Sequence, residues 1–358
     1  MNYRKLSEAE ITELTRHGCS ATNWRIVTVT PNFSARNIYY THFEGEVKIG
    51  NLTGKLSNGK RAGLYKSYIE NCIIEDDVFI SDVKRLVKYR VATGAFLMNI
   101  GSIEVEGETT FGNGTELEVL NEGGGRELPM YDRMTSQIAY LLVVYRHDEA
   151  LVNALKQMIA TYVAEKKSDM GLIDTEAKIT NTSIIKNVNT GPYTIIDGAA
   201  ELQEGTIMGC AEAPAQVGSG VIAREFIILS GSKVDSGAML DCTFVGQGVK
   251  IGKQFSSENS VFFANCEGFH SEVCSIFAGP YTVTHHRSTL LIAGMFSFYN
   301  AGSGTNQSNH MYKLGPLHQG IIERGAKTGS FSYMLWPSRL GAFSVVTGKH
   351  GGNFDTSD

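Results

Sequence analysis

The 358-residue sequence lacks the features that mark secreted and membrane proteins. It has 7 prolines, and none of its 6 cysteines forms a Cys-x-x-Cys pair. The N-terminus, Met1-Asn-Tyr-Arg-Lys-Leu-Ser-Glu8, has no apolar stretch of the kind found in a secretory signal. No run approaches the roughly 18 apolar residues of a membrane span. We therefore expect a cytoplasmic protein with reduced cysteines and no membrane partner.

An excess of positive charge is also missing. The chain carries 32 Lys and Arg against 37 Asp and Glu, which gives a formal net charge of -5. Proteins that bind nucleic acid or anionic membrane surfaces through a general electrostatic field are usually basic. The charge balance therefore argues against a nucleic-acid partner and leaves room only for a local basic patch.

The sequence has instead an apolar residue at every sixth position. This period fits neither an α-helix, with about 3.6 residues per turn, nor a lone strand, with about 2. It predicts a solenoid in which each hexad forms one short strand and sends one side chain into a narrow core, with three faces to a coil. The pattern slips by one residue between runs. The positions are Ile74, Ile80, Leu86, Ala92 and Met98; Val105, Phe111 and Leu117; Ile173, Ile179 and Ile185; Ile196, Leu202 and Met208; Ile222, Ile228, Val234 and Leu240; and Val245 and Ile251.

Glycine is abundant, with 39 residues, and many of them lie where a solenoid must turn. The stretch Gly246-Gln-Gly-Val-Lys-Ile-Gly252 reads as a corner, a strand and a corner, because glycine takes a positive φ without steric cost. A Gly-rich β-sandwich with irregular strands is the alternative. The four consecutive matches from Ile222 to Leu240 favour an all-β solenoid.

The pairs Ile49-Gly50 and Ile251-Gly252 resemble the [Leu/Ile/Val]-Gly-x4 repeats of the hexapeptide-repeat superfamily. The resemblance covers roughly residues 45–126 and 169–300. It implies a left-handed parallel β-helix, an exception among parallel crossovers, and assembly as a homotrimer. The C-terminal stretch Lys313-Leu-Gly-Pro-Leu-His-Gln-Gly320 resembles an uncharacterised bacterial hexapeptide-repeat family, which implies no activity.

The interruptions of the hexads predict how the chain is organised. Residues 1–45 are expected to form an N-terminal cap that contains a capping box at Ser7 and Glu10. The first part of the β-helix is expected over 46–126 and the second part over 169–300.

Two segments break the repeat. Residues 127–168 place apolar side chains at helical spacing on both sides of a turn, with Asp148 as the cap of the second helix, which predicts an inserted αα-hairpin. Its wide apolar face is expected to pack on the coil, on a sister subunit or around a ligand. Residues 301–358 lack hexads and predict a loop-rich C-terminal segment. That segment ends without a stop signal, as expected for a fragment of a longer protein.

Histidines concentrate late in the sequence, and six of the nine are His270, His285, His286, His310, His318 and His350. The superfamily resemblance implies an acyltransferase in which a histidine base deprotonates the acceptor in a groove between coils. His270, with Glu272 close by, and His285-His286 are the candidate bases. A hydrogen-bonded structural role is the alternative for each. His270-x3-Cys274 has the spacing of half a metal site, but no second pair does, so we expect no metal.

The segment Ile292 to Gly302 resembles the Asn-Tyr-Asp-Gly loop of glucosamine-1-phosphate acetyltransferase, with the order reversed as Tyr299-Asn300 and with Ala301 in place of the acid. The resemblance implies contacts with sugar and acyl groups. The alternative is that Asn300 is a turn residue before Gly302. Basic groups that would meet phosphates follow in the tail. The candidate substrate-binding residues are Tyr299, Asn300, Lys313, His318, Arg324 and Lys327.

These observations predict an acyltransferase that moves an acyl group from a coenzyme A thioester to a sugar or sugar nucleotide. The prediction rests on resemblance of fold, which hosts many functions. The alternative is a non-catalytic β-helix scaffold or a protein that binds a sugar nucleotide. In either case the expected partner is a small molecule.

Overall fold

A computed structural model describes residues 2–307 and 319–357. Its internal contacts divide the chain into two compact units. Unit 1 comprises Met1–Phe111 and Lys167–Ser219, and unit 2 comprises Gly112–Lys166 and Gly220–Asp358. Each unit is built on stacked parallel strands, so the chain is an all-β parallel solenoid with few helices.

Unit 1 has three strand faces, named 1a, 1b and 1c. Four long strands turn a corner and contribute to two faces: Phe79–Val87, Phe96–Glu104, Ile184–Thr190 and Glu201–Ile207. Face 1a also has Val27–Val29, Val47–Ile49, Ile73–Ile74, Tyr89–Val91 and Gly171–Ile173. Face 1b also has Ile38–Tyr39, Gly63–Tyr65, Lys178–Thr180, Ile195–Asp197 and Gln216–Val217. Face 1c also has Ser20–Ala21, His42–Glu44 and Tyr68–Glu70.

The N-terminus of unit 1 carries its helical elements. Helix α1 spans Glu8–Arg16, and the capping box predicted at Ser7 and Glu10 is present. Two 3-10 turns follow at Trp24–Ile26 and Ala35–Asn37, and Arg4–Lys5 pairs antiparallel with Val27–Val29. Parallel pairing begins within the predicted cap, because Ser20–Ala21 pairs with His42–Glu44.

The core of unit 1 shows why the hexad pattern slips. Ile74 pairs with Val91, and Ile80 pairs with Leu97, so residues 17 positions apart occupy the same place on successive coils. Three hexads contain one residue more, so the apolar pattern shifts by one position wherever a coil has 17 residues. Val91 and Leu97 are fully buried, the predicted Ala92 is buried as well, and the predicted Met98 is partly exposed. The close stacking of the coils also requires glycine at position 101, because a Cβ atom at Gly101 would lie 2.2 Å from the carbonyl oxygen of Ser183.

Unit 2 also has three strand faces, named 2a, 2b and 2c. Its corner-turning strands are Ile222–Ile228, Met239–Val245 and Ser256–Phe262, which serve faces 2a and 2b. Face 2a also has Ser271–Cys274, Thr289–Ile292, Asn306–Gln307, Tyr333–Met334 and Lys349–His350. Face 2b also has Phe277–Ala278, Gly294–Phe296, Gly320–Ile322 and Arg339–Leu340. Face 2c has Lys233–Val234, Lys250–Gly252, Glu267–Phe269, Val283–Thr284, Asn300–Ala301, Lys327–Thr328 and Val345–Val346.

Residues 301–307 and 319–357, the described part of the expected loop-rich segment, contain strands. Short strands as late as Lys349–His350 still pair in parallel with the coil before them. Most of them have two residues, and several of their outward positions are polar or aromatic, as in Lys327–Thr328 and Tyr333–Met334. Strands this short leave no periodic signal in the sequence, which is why the pattern seemed to stop at 301.

Segment 112–166 of unit 2 contains two α-helices. Helix α2 spans Ser136–Val144, with Thr135 as its cap, and helix α3 spans Glu149–Ala164, where the Asp148 side chain accepts a hydrogen bond from the Leu151 backbone N–H. A short antiparallel pair, Glu116–Leu117 with Leu128–Pro129, precedes them. The apolar side chains of this segment pack against face 2b.

Candidate functional site

An outward-facing row of apolar residues runs along face 2b. Strand pairing aligns Ile227, Phe244 and Val261, and then Phe277, Met295 and Ile321, on successive coils. The first four are buried because Leu117, Met130, Leu142 and Ile159 of segment 112–166 pack with them in one cluster. Met295 and Ile321 are only partly buried, so the apolar row extends beyond its cover.

A groove of about 1210 Å³ opens where the cover ends. One wall is face 2b, with Phe277, Met295 and Ile321. The other wall is helix α2, whose sequence, Ser136-Gln-Ile-Ala-Tyr-Leu-Leu-Val-Val144, is apolar on nearly every side. That helix buries Ala139, Leu142 and Val143 against the cluster and turns Tyr140, Leu141 and Val144 toward the groove. We call this cavity the α2 groove; it lies entirely within unit 2.

The charged residues of the α2 groove are mostly basic. Arg126, Arg146, His147, Arg324 and Arg339 line it, and Glu323 is the one carboxylate among its described lining residues. Glu323 is already engaged, because the Nη2 and Nε atoms of Arg339 lie 2.6 Å and 2.8 Å from its Oε1 atom.

Arg126 stands out among these cations. Its Nε atom is buried without a hydrogen-bond partner in the described part of the chain. Burial lowers the pKa of Arg126, and the charge of Arg146 lowers it further. Arg146 donates to the carbonyl of Gly125. A buried N–H group without a partner costs free energy, which a bound anion would recover.

The structure places the predicted bases on the solenoid surface, away from the α2 groove. His285 is exposed on face 2c, and its Nε2 atom lies 2.5 Å from the Oε2 atom of Glu267. His286 is exposed beside it, and His270 is a half-buried corner residue with a φ of 55°. Glu267 is therefore the carboxylate that reaches a candidate imidazole, rather than the predicted Glu272.

The predicted substrate-binding residues are divided among three places. Asn300 and Lys327 pair on face 2c, and Arg324 lines the α2 groove, where its guanidinium lies 4.9 Å from the centre of the Phe298 ring. Tyr299 is fully buried, and its hydroxyl bonds with Thr328 and Gln307 at 2.9 Å and 2.8 Å. The prediction that Tyr299 contacts substrate is corrected accordingly, since its side chain exposes no surface.

Lys313 and His318 lie outside the described residues. Sequence reasoning missed Arg126, Arg146 and His147. One feature of the sequence could have pointed to them: these basic residues flank the first helix of a segment whose apolar face needs a packing partner. Which face of the solenoid that segment covers depends on strand register, and the hexads alone do not give it.

Residues 2–307 and 319–357, which the structure describes, also bear on metal binding and on membrane insertion. Within that part of the chain, no group of three His, Cys, Asp or Glu side chains is arranged to hold a metal ion. None of its helices is long and apolar enough to pass through a membrane.

Comparison with known proteins gives two matches. Residues 3–358 match the family model described as "Domain of unknown function (DUF4954)". An uncharacterised protein of Treponema pallidum (strain Nichols) is 25% identical over 365 residues, an alignment that covers 97% of this chain and 50% of that protein. The chain thus spans about half the length of the curated relative that it matches.

Proposed function

We propose that this chain, which belongs to the DUF4954 family of unknown function, is a β-solenoid that binds an amphipathic anion in the α2 groove. The observation that carries the proposal is the combination of two apolar walls with the guanidinium groups of Arg126 and Arg146, for which the described residues provide no carboxylate ion pair. Ligand pockets in proteins typically have volumes of about 300–1,000 Å³ and join apolar surface to a few fixed polar groups. At about 1210 Å³, the α2 groove has room for a ligand with a long apolar part.

A thermal-shift screen tests this proposal. Ligands that bind the folded state raise the melting temperature, by about 2.7 kcal/mol of added stability at a hundred times the dissociation constant. We expect shifts with acyl-coenzyme A thioesters and fatty acids and smaller ones with coenzyme A alone or UDP-sugars.

A pair of variants locates the binding. Met295→Glu puts a carboxylate in the groove wall and should abolish the shift. Met239→Glu changes an exposed methionine of face 2a and should retain it. Equal behaviour of the two variants, or no shift of the unmodified protein with any amphiphile, would contradict the proposal.

A second candidate function is acyl transfer, as expected from the sequence. It is favoured by the His285–Glu267 pair on face 2c, because strand pairing aligns Glu267, Val283, Asn300 and Lys327 on successive coils. The hydrogen bond with His285 is the main cause that lowers the pKa of Glu267, and Lys250 adds to it. An ionised Glu267 would orient the imidazole and stabilise its protonated form.

In that reaction the His285 imidazole removes the proton from a sugar hydroxyl or amine. The freed oxygen or nitrogen attacks the thioester carbonyl, and the carbon–sulfur bond then breaks. The His285 imidazolium gives its proton to the departing sulfur, so coenzyme A leaves as a thiol and the imidazole is neutral again. Asn300 and Lys327 would hold the carbonyl or a phosphate. Lys313 and His318 remain predicted substrate contacts.

Thiol release from acetyl-coenzyme A with UDP-sugars measures the transfer. His285→Ala should lower turnover by ~10²–10⁴ without loss of stability. His350→Ala, which removes another exposed histidine, should have no effect. A His285→Ala variant with full turnover would exclude this base.

Several structural features that the sequence and its resemblance suggest are also proposals. We propose that the coils are left-handed, that residues 1–45 cap the solenoid, that α2 and α3 form an inserted αα-hairpin, and that the protein is a homotrimer in the cytoplasm. The six cysteines are free, which suits a reducing compartment. Light scattering tests the trimer, and a clean monomer mass would contradict it.

A further inference from the structure

The polar part of the α2 groove has more positive charge than the neighbouring carboxylates neutralise. Arg339 is paired with Glu323, but Arg126 has no acidic partner among the described residues. Arg146 uses its guanidinium on the carbonyl of Gly125. The acid near Arg146 is Glu127, and its carboxylate accepts from the Gly125 backbone N–H. At least two guanidinium groups therefore face the groove with donors to spare.

The position of Arg126 makes this arrangement costly without a ligand. Arg126 is half-buried, so its guanidinium loses part of its hydration, and the like charge of Arg146 adds repulsion. Replacing Arg126 by a neutral residue would remove both penalties, and replacing Arg146 would remove the repulsion. A site that keeps the two together is typical of anion recognition, since guanidinium groups bind planar oxyanions through paired hydrogen bonds.

The apolar part of the groove starts beside these cations. The row of Phe277, Met295 and Ile321 on face 2b lies opposite Tyr140 and Val144 of helix α2. The same row is covered by protein side chains at Ile227, Phe244 and Val261. An apolar chain laid along Met295 and Ile321 would continue that cover by the same hydrophobic contacts.

From these observations we infer that the α2 groove binds a phosphate-bearing amphiphile with one apolar chain, the phosphate between Arg126 and Arg146 and the chain along Met295 and Ile321. The inference rests on the proposed binding function and specifies the ligand class. Phosphate is preferred to carboxylate because it carries close to two negative charges and three acceptor oxygens, enough to serve both guanidinium groups.

Isothermal titration of the full chain with dodecyl phosphate and with dodecanoate, below their micellar concentrations, tests the inference. The two probes share a chain of the same length and differ in the head group. We expect dodecyl phosphate to bind at least ~10-fold more tightly. Arg126→Gln and Arg146→Gln should each remove most of that preference. Arg36→Gln, a change of an exposed arginine in unit 1, should keep it.

Folding of the variants is checked by thermal unfolding. Arg126→Gln should melt no lower than the unmodified protein, because it removes an unpaired buried donor. Equal affinity for the two probes, or an unchanged preference in Arg126→Gln, would overturn the phosphate assignment and leave the groove as a site for amphiphiles. Binding of neither probe would overturn both proposals.

The phosphate-bearing amphiphile could be a free metabolite or a membrane lipid, and two further binding experiments distinguish these sources. Saturable binding of palmitoyl-coenzyme A that competes with dodecyl phosphate supports a free phosphorylated metabolite. Co-sedimentation with phosphatidylcholine vesicles only when they contain phosphatidic acid supports a lipid head group. In both arms Arg126→Gln should weaken binding, and a variant that binds as before would count against the inference.

Discussion

Replacing Phe244 by Ala should strongly destabilise unit 2, although this side chain points away from the interior of its own coil. Phe244 lies on face 2b, is fully buried by segment 112–166, and has its ring centre 5.7 Å from that of Phe263. Removing a buried phenylalanine side chain from a packed cluster costs about 3–5 kcal/mol, the sum of lost transfer free energy and the cavity left behind.

The matched control lies in the same strand, Met239–Val245. Met239 points outward on face 2a and is 49% exposed, so Met239→Ala should change the free energy of unfolding by less than about 0.5 kcal/mol. The two variants have the same local backbone and differ only in whether a neighbouring segment covers the side chain.

Thermal unfolding followed by far-ultraviolet circular dichroism measures the difference. For a unit of this size, 1 kcal/mol shifts the melting temperature by roughly 2–4 °C, so Phe244→Ala should melt about 6–20 °C lower. Urea unfolding gives the same comparison as a midpoint. If Phe244→Ala and Met239→Ala unfold alike, segment 112–166 does not cover face 2b, and the α2 groove loses one of its walls.

Two more predictions concern the core and the first helix. Ile228→Asp should destabilise the protein by more than about 4 kcal/mol, because it buries an unpaired carboxylate, whereas Ile184→Asp, at an exposed strand position, should be tolerated; similar denaturation midpoints for the two would contradict the inward register. The hydrogen bonds that Arg4 donates lower the pKa of Glu10 to about 2, so its stabilisation of α1 is fully present above its ordinary pKa of 4.5 and is lost as the pH falls through about 2. The stability difference between the unmodified protein and Glu10→Gln should therefore shrink below pH 4.5 and vanish below about pH 2, and a difference that stays constant with pH would contradict this linkage.

The sequence was sufficient to predict the parallel solenoid because its core admits about one side chain per short strand. Ile228 and Val234 are fully buried, as the hexads require. The limit of the pattern is the coil length. Where a coil has 17 residues, a strict period of six drifts by one position, and it assigned the partly exposed Met98 to the inward position that Leu97 holds.

The candidate site was less predictable for a different reason. Histidines attract attention in a sequence, yet His285 lies on an open face, while the α2 groove depends on Arg126 and Arg146 from a helical segment. Its far wall comes from Met295 and Ile321, more than 100 residues later in the chain. Only the strand pairing that aligns Phe277 with Met295 and Met295 with Ile321 shows that the apolar row continues past its cover.

The packing of segment 112–166 on face 2b also has a consequence for synthesis on the ribosome. The segment ends at Lys166, but the strands that it covers run from Ile222 to Ala278. At about 5–20 residues per second, translation needs roughly 6–22 seconds after Lys166 before the last of these strands has been made. During that interval the apolar side of α2 and α3 has no native partner. The nascent chain is therefore most exposed to misassociation and to holding chaperones between completion of its helices and completion of the strands that follow.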